Sequence, residues 1–277
     1  MARSNENRRS PIGYTVLIVA ALLTVIPFAY AVLGSLKTSG QISTNPLGLP
    51  NPVMWENYAA VLVGDAFWRP LLNSVIVGLL TVVIVLVCGT LATFALSRFN
   101  FRGRESVYAF FTLGLLFPAA VAILPLYLML RLLDLLNTPI GVALPQAAFA
   151  LPVTVVILRP FFQSIPQELE EAASMDGAGP MRFFLRILLP MSVPVLITVS
   201  ILALITSWNG YLLPLLILTD PDSWTIPLGL SRFAGSYTYD TARVLAYSVV
   251  AMVPTVLAYG FAERYIVQGL TAGAVKG

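Results

Sequence analysis

The sequence predicts an all-α integral membrane protein with six transmembrane helices. Hydrophobic residues make up 58% of the chain and charged residues only 10%, whereas soluble domains carry about 25% charged residues. Six windows without a charged residue reach or approach the roughly 20 residues that cross a bilayer core. Backbone groups in lipid must be paired within their own segment, so these windows are expected to be helices.

The predicted spans cover about 12–34, 71–96, 107–130, 139–160, 192–217 and 244–263. Prolines lie inside several of them, which indicates either the usual tolerance of membrane helices or bent helices that must rearrange. The only cysteine, Cys88, has apolar neighbours and is expected to be buried. The first window also resembles a cleavable signal, but its apolar run is longer than a signal core of about 7–15 residues.

The basic residues predict that both termini are cytoplasmic, because cytoplasmic loops carry an excess of Lys and Arg. Of the 16 basic residues, this orientation leaves only five outside: Lys37, Arg69, Arg131, Arg232 and Arg243. The organisation that follows is a stub, first helix and outside loop over 1–69, a transmembrane domain over 70–264 and a cytoplasmic tail over 265–277. The net charge of +3 gives no reason to expect a nucleic-acid partner.

Charge is concentrated in one loop between the fourth and fifth spans, "QELEEAASMDGAGPMRFF". It reads as two short helices. Ser164 could cap the first, with Gln167 as its reciprocal partner. Gly177 would end that helix and Pro180 would open the second.

Leu169, Ala172 and Ala173 fall on one face of the first short helix. Alanines there would let another surface approach the backbone closely, as when a helix docks in the groove of a partner. The same face could instead pack against the protein's own helices. The residues alone leave both interpretations open.

The spacing Glu171-Ala172-Ala173, Gly177, Ile187, Leu189-Pro190 resembles the "EAA" signature of the permease subunits of bacterial ATP-binding-cassette (ABC) importers. "WNGYLLPL" and the tail "ERYIVQGLTAGAVKG" are similar to the carbohydrate-importing branch, in particular to its maltose-type second permease. The resemblance implies the type I ABC importer permease fold in the bacterial cytoplasmic (inner) membrane.

The resemblance also implies that coupling helices at about 165–185 seat in a cytoplasmic ATPase subunit. The residues expected at that interface are Glu170, Glu171, Ala172, Ala173, Met175, Asp176, Gly177, Ala178 and Pro180. The chain has no G-x-x-x-x-G-K-[ST] loop, so ATP and Mg²⁺ would be bound by the partner. The implied partners are a second homologous permease, two ATPase copies, an extracytoplasmic solute-binding protein and the lipid bilayer. No cofactor, metal or catalytic residue is expected in this chain.

Polar residues at membrane depth are candidates for the substrate pathway. They are Asn209, Tyr211, Asn73 and Gln146, with Thr154 a weaker candidate. Hydrogen bonds between helices are the alternative explanation and the one that the sequence favours for each residue, because such polar contacts commonly join membrane helices. Trp224, Tyr237 and Tyr239, in the outside loop before the last span, are candidates for contact with the binding protein, or they anchor the interface. The tail either touches the ATPase or is a disordered terminus.

Two other classes of protein fit the sequence less well. An ion-coupled secondary transporter acting without an ATPase usually needs charged residues well inside its spans, whereas the only charged residues in these spans, Arg159 and Glu263, lie at span ends. A membrane enzyme would have to work without histidine, because the chain contains none.

Overall fold

The computed structural model describes residues 11–233 and 240–272, and every regular element within them is helical. The α-helices are Pro11–Ser35 (α1), Ser39–Thr44 (α2), Glu56–Leu62 (α3), Asp65–Arg98 (α4), Arg104–Gly114 (α5), Ala119–Leu132 (α6), Pro139–Ser164 (α7), Gln167–Met175 (α8), Pro180–Phe183 (α9), Leu189–Met191 (α10), Val193–Trp208 (α11), Leu212–Ile217 (α12), Ile226–Gly229 (α13) and Thr241–Ala272 (α14). A π turn covers Phe184–Leu188, and 3₁₀ turns cover Pro221–Ser223 and Leu230–Arg232.

The described residues form two compact units. The first comprises the chain up to Ala66 together with Leu230–Val253. The second comprises Phe67–Gly229 and the chain from Pro254 onward. The loop with α8, on which the functional argument depends, lies wholly in the second unit.

Three helices, α1, α4 and α7, are each long and apolar enough to cross a membrane alone. Two bent pairs raise the number of spans to five in the described residues: α5 with α6, bent by 99°, and Pro180–Met191 with α11, bent by 79°. The sixth predicted span falls on α14, whose described apolar part, Thr241–Leu257, is shorter than a full crossing. The described residues therefore supply one span fewer than the six predicted.

The prediction of one continuous helix over 107–130 is wrong. The helix stops at Gly114 and resumes at Ala119, after Pro118, whose backbone is extended with ψ 117°. A proline disfavours helical backbone at the residue before it, here Phe117. The presence of a proline alone does not determine whether a helix is interrupted, because α7 contains three internal prolines and remains one helix.

The predicted fifth span is interrupted as well. Residues 209–211 separate α11 from α12, so continuity over 192–217 is wrong. At the other end of the span, Ser192 marks the sharp bend before α11. Its hydroxyl donates to the carbonyl oxygen of Leu188 at 2.6 Å, a side-chain bond that competes with the helix and bends it.

Three apolar clusters follow α4 along the second unit, each containing one buried residue of that helix. Phe94 belongs to the cluster nearest α8, Val85 to a cluster with alanines of α7 and α11, and Val77 to one with α12. Cys88 lies outside these clusters and is exposed. The prediction that Cys88 is buried is therefore wrong, because apolar neighbours in a membrane sequence do not distinguish a core face from a lipid face.

The segment that joins α1 to α4 is held by hydrogen bonds around a buried lysine. Lys37 is only 1% exposed, and its Nζ donates to the carbonyl oxygens of Asn45 and Pro46 at 3.0 and 2.9 Å. Asn57 donates to the carbonyl oxygens of Ser35 and Lys37. These bonds fold α2 and α3 around the lysine.

We expect Gly89→Leu to destabilise the second unit, because a Cβ at Gly89 would lie 2.7 Å from Cγ2 of Thr154 on α7. Overpacking of this kind costs about 1–3 kcal/mol, and small residues let membrane helices approach closely. Gly260→Leu is the matched control, since a Cβ there has no neighbour within 4 Å. Thermal unfolding in detergent should show a lower midpoint for the first variant only; equal midpoints would contradict the close contact of α4 with α7.

Candidate functional site

The loop between α7 and α11 turns sharply after α8. The N–H of Ala178 donates to the carbonyl of Ala173 at 2.8 Å, and the N–H of Gly177 to that of Ser174 at 3.0 Å. Gly177 has a φ of +76°. This bond pair with a left-handed glycine is the Schellman C-cap, so the prediction that Gly177 ends the first short helix is confirmed.

The predicted cap at the start of this helix is wrong. Ser164 is still part of α7, and its hydroxyl donates to the carbonyl of Phe161 at 2.8 Å. The helix α8 begins at Gln167 after Pro166, without a side-chain cap. Only Ile165 and Pro166 link the two helices, which leaves Ser164 no position from which to cap α8.

The predicted face of α8 is divided between the core and solvent. Ala173 is buried and packs in the cluster with Ile165 and Phe183. Ala172 is exposed, as are Leu169 and Met175, the latter by 89%. The two alternatives left open by the sequence therefore apply to different residues. Leu169, Ala172 and Met175 are called the α8 surface below.

The second short helix holds the loop against the same cluster. Gly179 precedes α9 and Pro180 occupies its first turn, as predicted. Phe183 and Phe184 are both buried, and the ring of Phe184 lies 4.8 Å from that of Phe94 on α4, centroid to centroid. Aromatic pairs at this distance add to the stabilisation from burial alone.

Arg98, the last residue of α4, joins the loop to two helices of the second unit. Its side chain is 7% exposed. Nη2 donates to the carbonyl oxygens of Phe162 and Ile165 at 2.7 and 2.8 Å, and Nη1 lies 3.6 Å from Oε2 of Glu170 on α8. The Glu170 side chain is 29% exposed, and its predicted contact with an ATPase stays a prediction. Sequence reasoning missed Arg98, whose only signal was its place at the end of a span.

A polar cleft of about 580 Å³ opens beside this arginine, between the α4–α5 connection and α8. Arg104 and Glu171 are among the side chains that line it. Nearby, Arg159 of α7 pairs with Glu105 of α5, and its guanidinium carbon lies 4.0 Å from the ring centroid of Tyr108. The ends of α4 and α7 and the start of α5 thus meet beside α8 at one end of the second unit.

Three of the predicted pathway residues lie at the break between α11 and α12. Asn209 and Tyr211 belong to the break itself, and Gln146 of α7 lies beside it. Asn209 and Tyr211 are exposed there. A Cβ at Gly210 would lie 2.8 Å from Nε2 of Gln146, which is buried. The Gln146 carbonyl oxygen accepts hydrogen bonds from Ser207 and Thr81, at 2.6 and 3.2 Å. Gln146 therefore joins α4, α7 and α11, and it stays a prediction as a substrate contact.

Asn73 lies elsewhere, with the loop that follows α12. Its amide donates to the carbonyl oxygens of Asp222 and Trp224 at 2.9 and 3.0 Å. The indole of Trp224 in turn donates to the carbonyl of Leu218, and Thr154 donates within α7 to Ala150. Tyr237 and Tyr239 lie outside the described residues.

The sequence profile of one protein family, the binding-protein-dependent transport system inner membrane component, matches residues 85–267. The chain belongs to this family. Its α8 loop and all the helices around it fall within or beside the matched range. The permease is therefore an integral, multi-pass inner-membrane subunit of a binding-protein-dependent importer and not an enzyme.

Two relatives and a solved structure match almost the whole permease. The diacetylchitobiose uptake system permease protein NgcG of Streptomyces coelicolor is 35% identical, over 99% of this chain and 92% of that protein. The trehalose transport system permease protein SugB of Mycobacterium tuberculosis is also 35% identical, over 93% and 97%. A crystal structure of a bacterial ABC transporter that imports alginate matches with a TM-score of 0.79 at 25% identity, over 96% and 99%. The predicted type I importer permease fold is confirmed.

We expect Ala173→Leu to destabilise the loop, because Ala173 is 7% exposed within a packed cluster and overpacking costs about 1–3 kcal/mol. Ala172→Leu is the matched control on the exposed side of the same turn. Limited proteolysis should cleave the first variant faster near α8 and leave the second like the wild type. Equal protection of both variants would contradict the division of the face.

Proposed function

We propose that the permease is one of two homologous permease subunits of an importer for sugars, driven by two copies of a cytoplasmic ATPase. The α8 surface is the docking site for one ATPase subunit, and the loop carries force from that subunit into the membrane helices. ATP and Mg²⁺ are bound by the ATPase. In this arrangement both termini, α8 and the polar cleft beside it lie on the cytoplasmic side.

The single observation that carries the docking role is the contrast between the two sides of the loop. Beneath, Ala173 and Phe183 are fixed in an apolar cluster. Above, Leu169 and Met175 expose apolar side chains next to Glu171. Apolar side chains on a short, rigid helix suit a hydrophobic groove in a partner.

A rigid loop is what force transmission requires. The Schellman turn fixes the backbone at Gly177, where a Cβ would have no neighbour within 4 Å. The absence of a side chain therefore serves the backbone conformation and leaves space above the turn for a partner. Asp176, Gly177 and Pro180 would meet the ATPase, while Ala178 and Glu170 support the loop from within.

The cargo is proposed from the names of the permeases that this sequence resembles. The relatives include permeases named for diacetylchitobiose and trehalose and for arabinooligosaccharides. We assign a sugar, carried past the break between α11 and α12, where Asn209, Tyr211 and Gln146 supply polar groups. Helices interrupted within a membrane commonly border solute pathways.

We expect Gly177→Asp to leave membrane insertion intact and to lower solute uptake strongly, because it places a charged side chain where the ATPase approaches. Gly64→Asp is the matched control: Gly64 also has a positive φ, of +82°, and open space around it, but lies before α4 in the outside segment. Uptake should be measured at equal abundance in membranes. Uptake by Gly177→Asp equal to that of Gly64→Asp would remove the docking role from the turn.

Copurification tests the assembly itself. Tagged permease extracted in mild detergent should retain a second permease and an ATPase. A permease that transports its solute in vesicles alone, with ATP absent, would instead identify an ion-coupled carrier.

A further inference from the structure

We propose that Arg98 is a positioning residue for coupled transport, through which movement of the α8 loop reaches α4. The proposal rests on the proposed function, because it concerns the path of force beyond the docking surface. Arg98 is assigned this role by its contacts: its guanidinium bonds to the end of α7, pairs with α8 and lies 5.8 Å from the ring centroid of Phe183 on α9.

The attachment to α7 is short and specific. The carbonyls of Phe162 and Ile165 belong to the last turn and cap of α7, where backbone oxygens lack partners within the helix. Arg98 supplies one donor to each from the same nitrogen. Its positive charge also lies at the negative end of the α7 dipole. Arg98 thus ties the end of α4 to the end of α7.

The attachment to α8 is longer. Nη1 of Arg98 and Oε2 of Glu170 are 3.6 Å apart, beyond the usual length of a hydrogen bond. This pair can shorten or slide while the bonds to α7 persist. The Arg98 side chain is 7% exposed and that of Glu170 29%. Withdrawing the carboxylate would leave a buried charge without its counter-ion, which is costly, so a displaced α8 pulls on α4.

Arginine suits this position better than lysine would. The guanidinium presents donors on three nitrogens in a fixed plane, so it can face the α7 carbonyls and the α8 carboxylate at the same time. A lysine keeps the charge but offers donors from a single nitrogen. Glu170 is distinguished from its neighbour Glu171, which is exposed and available to a partner.

The test uses the whole importer, reconstituted in vesicles with its binding protein and sugar. ATP hydrolysis and sugar uptake are measured in the same preparation for Arg98→Lys and Glu170→Gln. Glu170→Gln leaves both Arg98 hydrogen bonds to α7 intact. It therefore tests the Arg98–Glu170 linkage even if Arg98→Lys does not fold. Matched controls are Arg102→Lys, an exposed arginine of the same connection, and Glu168→Gln, an exposed carboxylate of α8.

We expect both variants to retain the ATPase and hydrolyse ATP, while sugar transported per ATP falls at least about fivefold, the lower end of the usual coupling between sites. The double variant should transport no less sugar per ATP than the more impaired single variant, because both substitutions remove the same linkage between Arg98 and α8. The controls should keep the wild-type ratio. A merely structural role would lower abundance, hydrolysis and uptake together.

Suppose that the wild-type complex couples ATP hydrolysis to uptake normally. If the Glu170→Gln complex then shows the same ratio of uptake to hydrolysis as the wild type, this proposal alone is overturned. A wild-type complex that holds no ATPase would overturn the proposed function and this proposal with it.

Discussion

A charge taken out of water is costly without partners, and the two Nη nitrogens of Arg98 keep their partners only while three helices keep their positions. Its guanidinium closes the end of α7 and faces a carboxylate of α8, while its own backbone ends α4. The apolar cluster beneath the loop adds the second constraint, because Ala173, Phe183 and Phe184 are buried in it. Together they turn a short loop into a rigid extension of the helices that enter the membrane.

Two of the membrane spans are sharply bent. The helix pair α5 and α6 meets at 99°, and α11 leaves the preceding helix at 79°. An extended proline, Pro118, precedes α6, and at the second bend the Ser192 hydroxyl donates to a helical carbonyl oxygen. Breaks of this kind concentrate flexibility in few residues, and a protein that alternates between two states needs an energy difference of only a few kcal/mol between them.

Much of this architecture could be predicted from the sequence. Windows without charge located the helices, because hydrocarbon excludes unpaired charge over a fixed length. Gly177 and Pro180 were predicted correctly, since a left-handed cap and a helix start depend on adjacent residues only. Breaks in the spans were not predicted: α7 tolerates its prolines and Pro118 does not continue a helix, a difference set by the surroundings.

The parts of the site that depend on tertiary contacts could not be predicted from the sequence. Ala172 and Ala173 are adjacent and chemically identical, and only the cluster beneath decides that one is buried. Ser164 had the right spacing for a cap but is part of α7. Arg98 is more than 60 residues from Phe162 and Ile165, so no local pattern indicates their contact.

The most direct measurement of docking is photo-crosslinking from Met175, which is 89% exposed at the end of α8. A photoreactive residue there, in the assembled importer, should form a covalent adduct with an ATPase subunit. The same residue at Val63, 76% exposed between α3 and α4, should not. Normal sugar uptake with no ATPase adduct from position 175 would contradict the account.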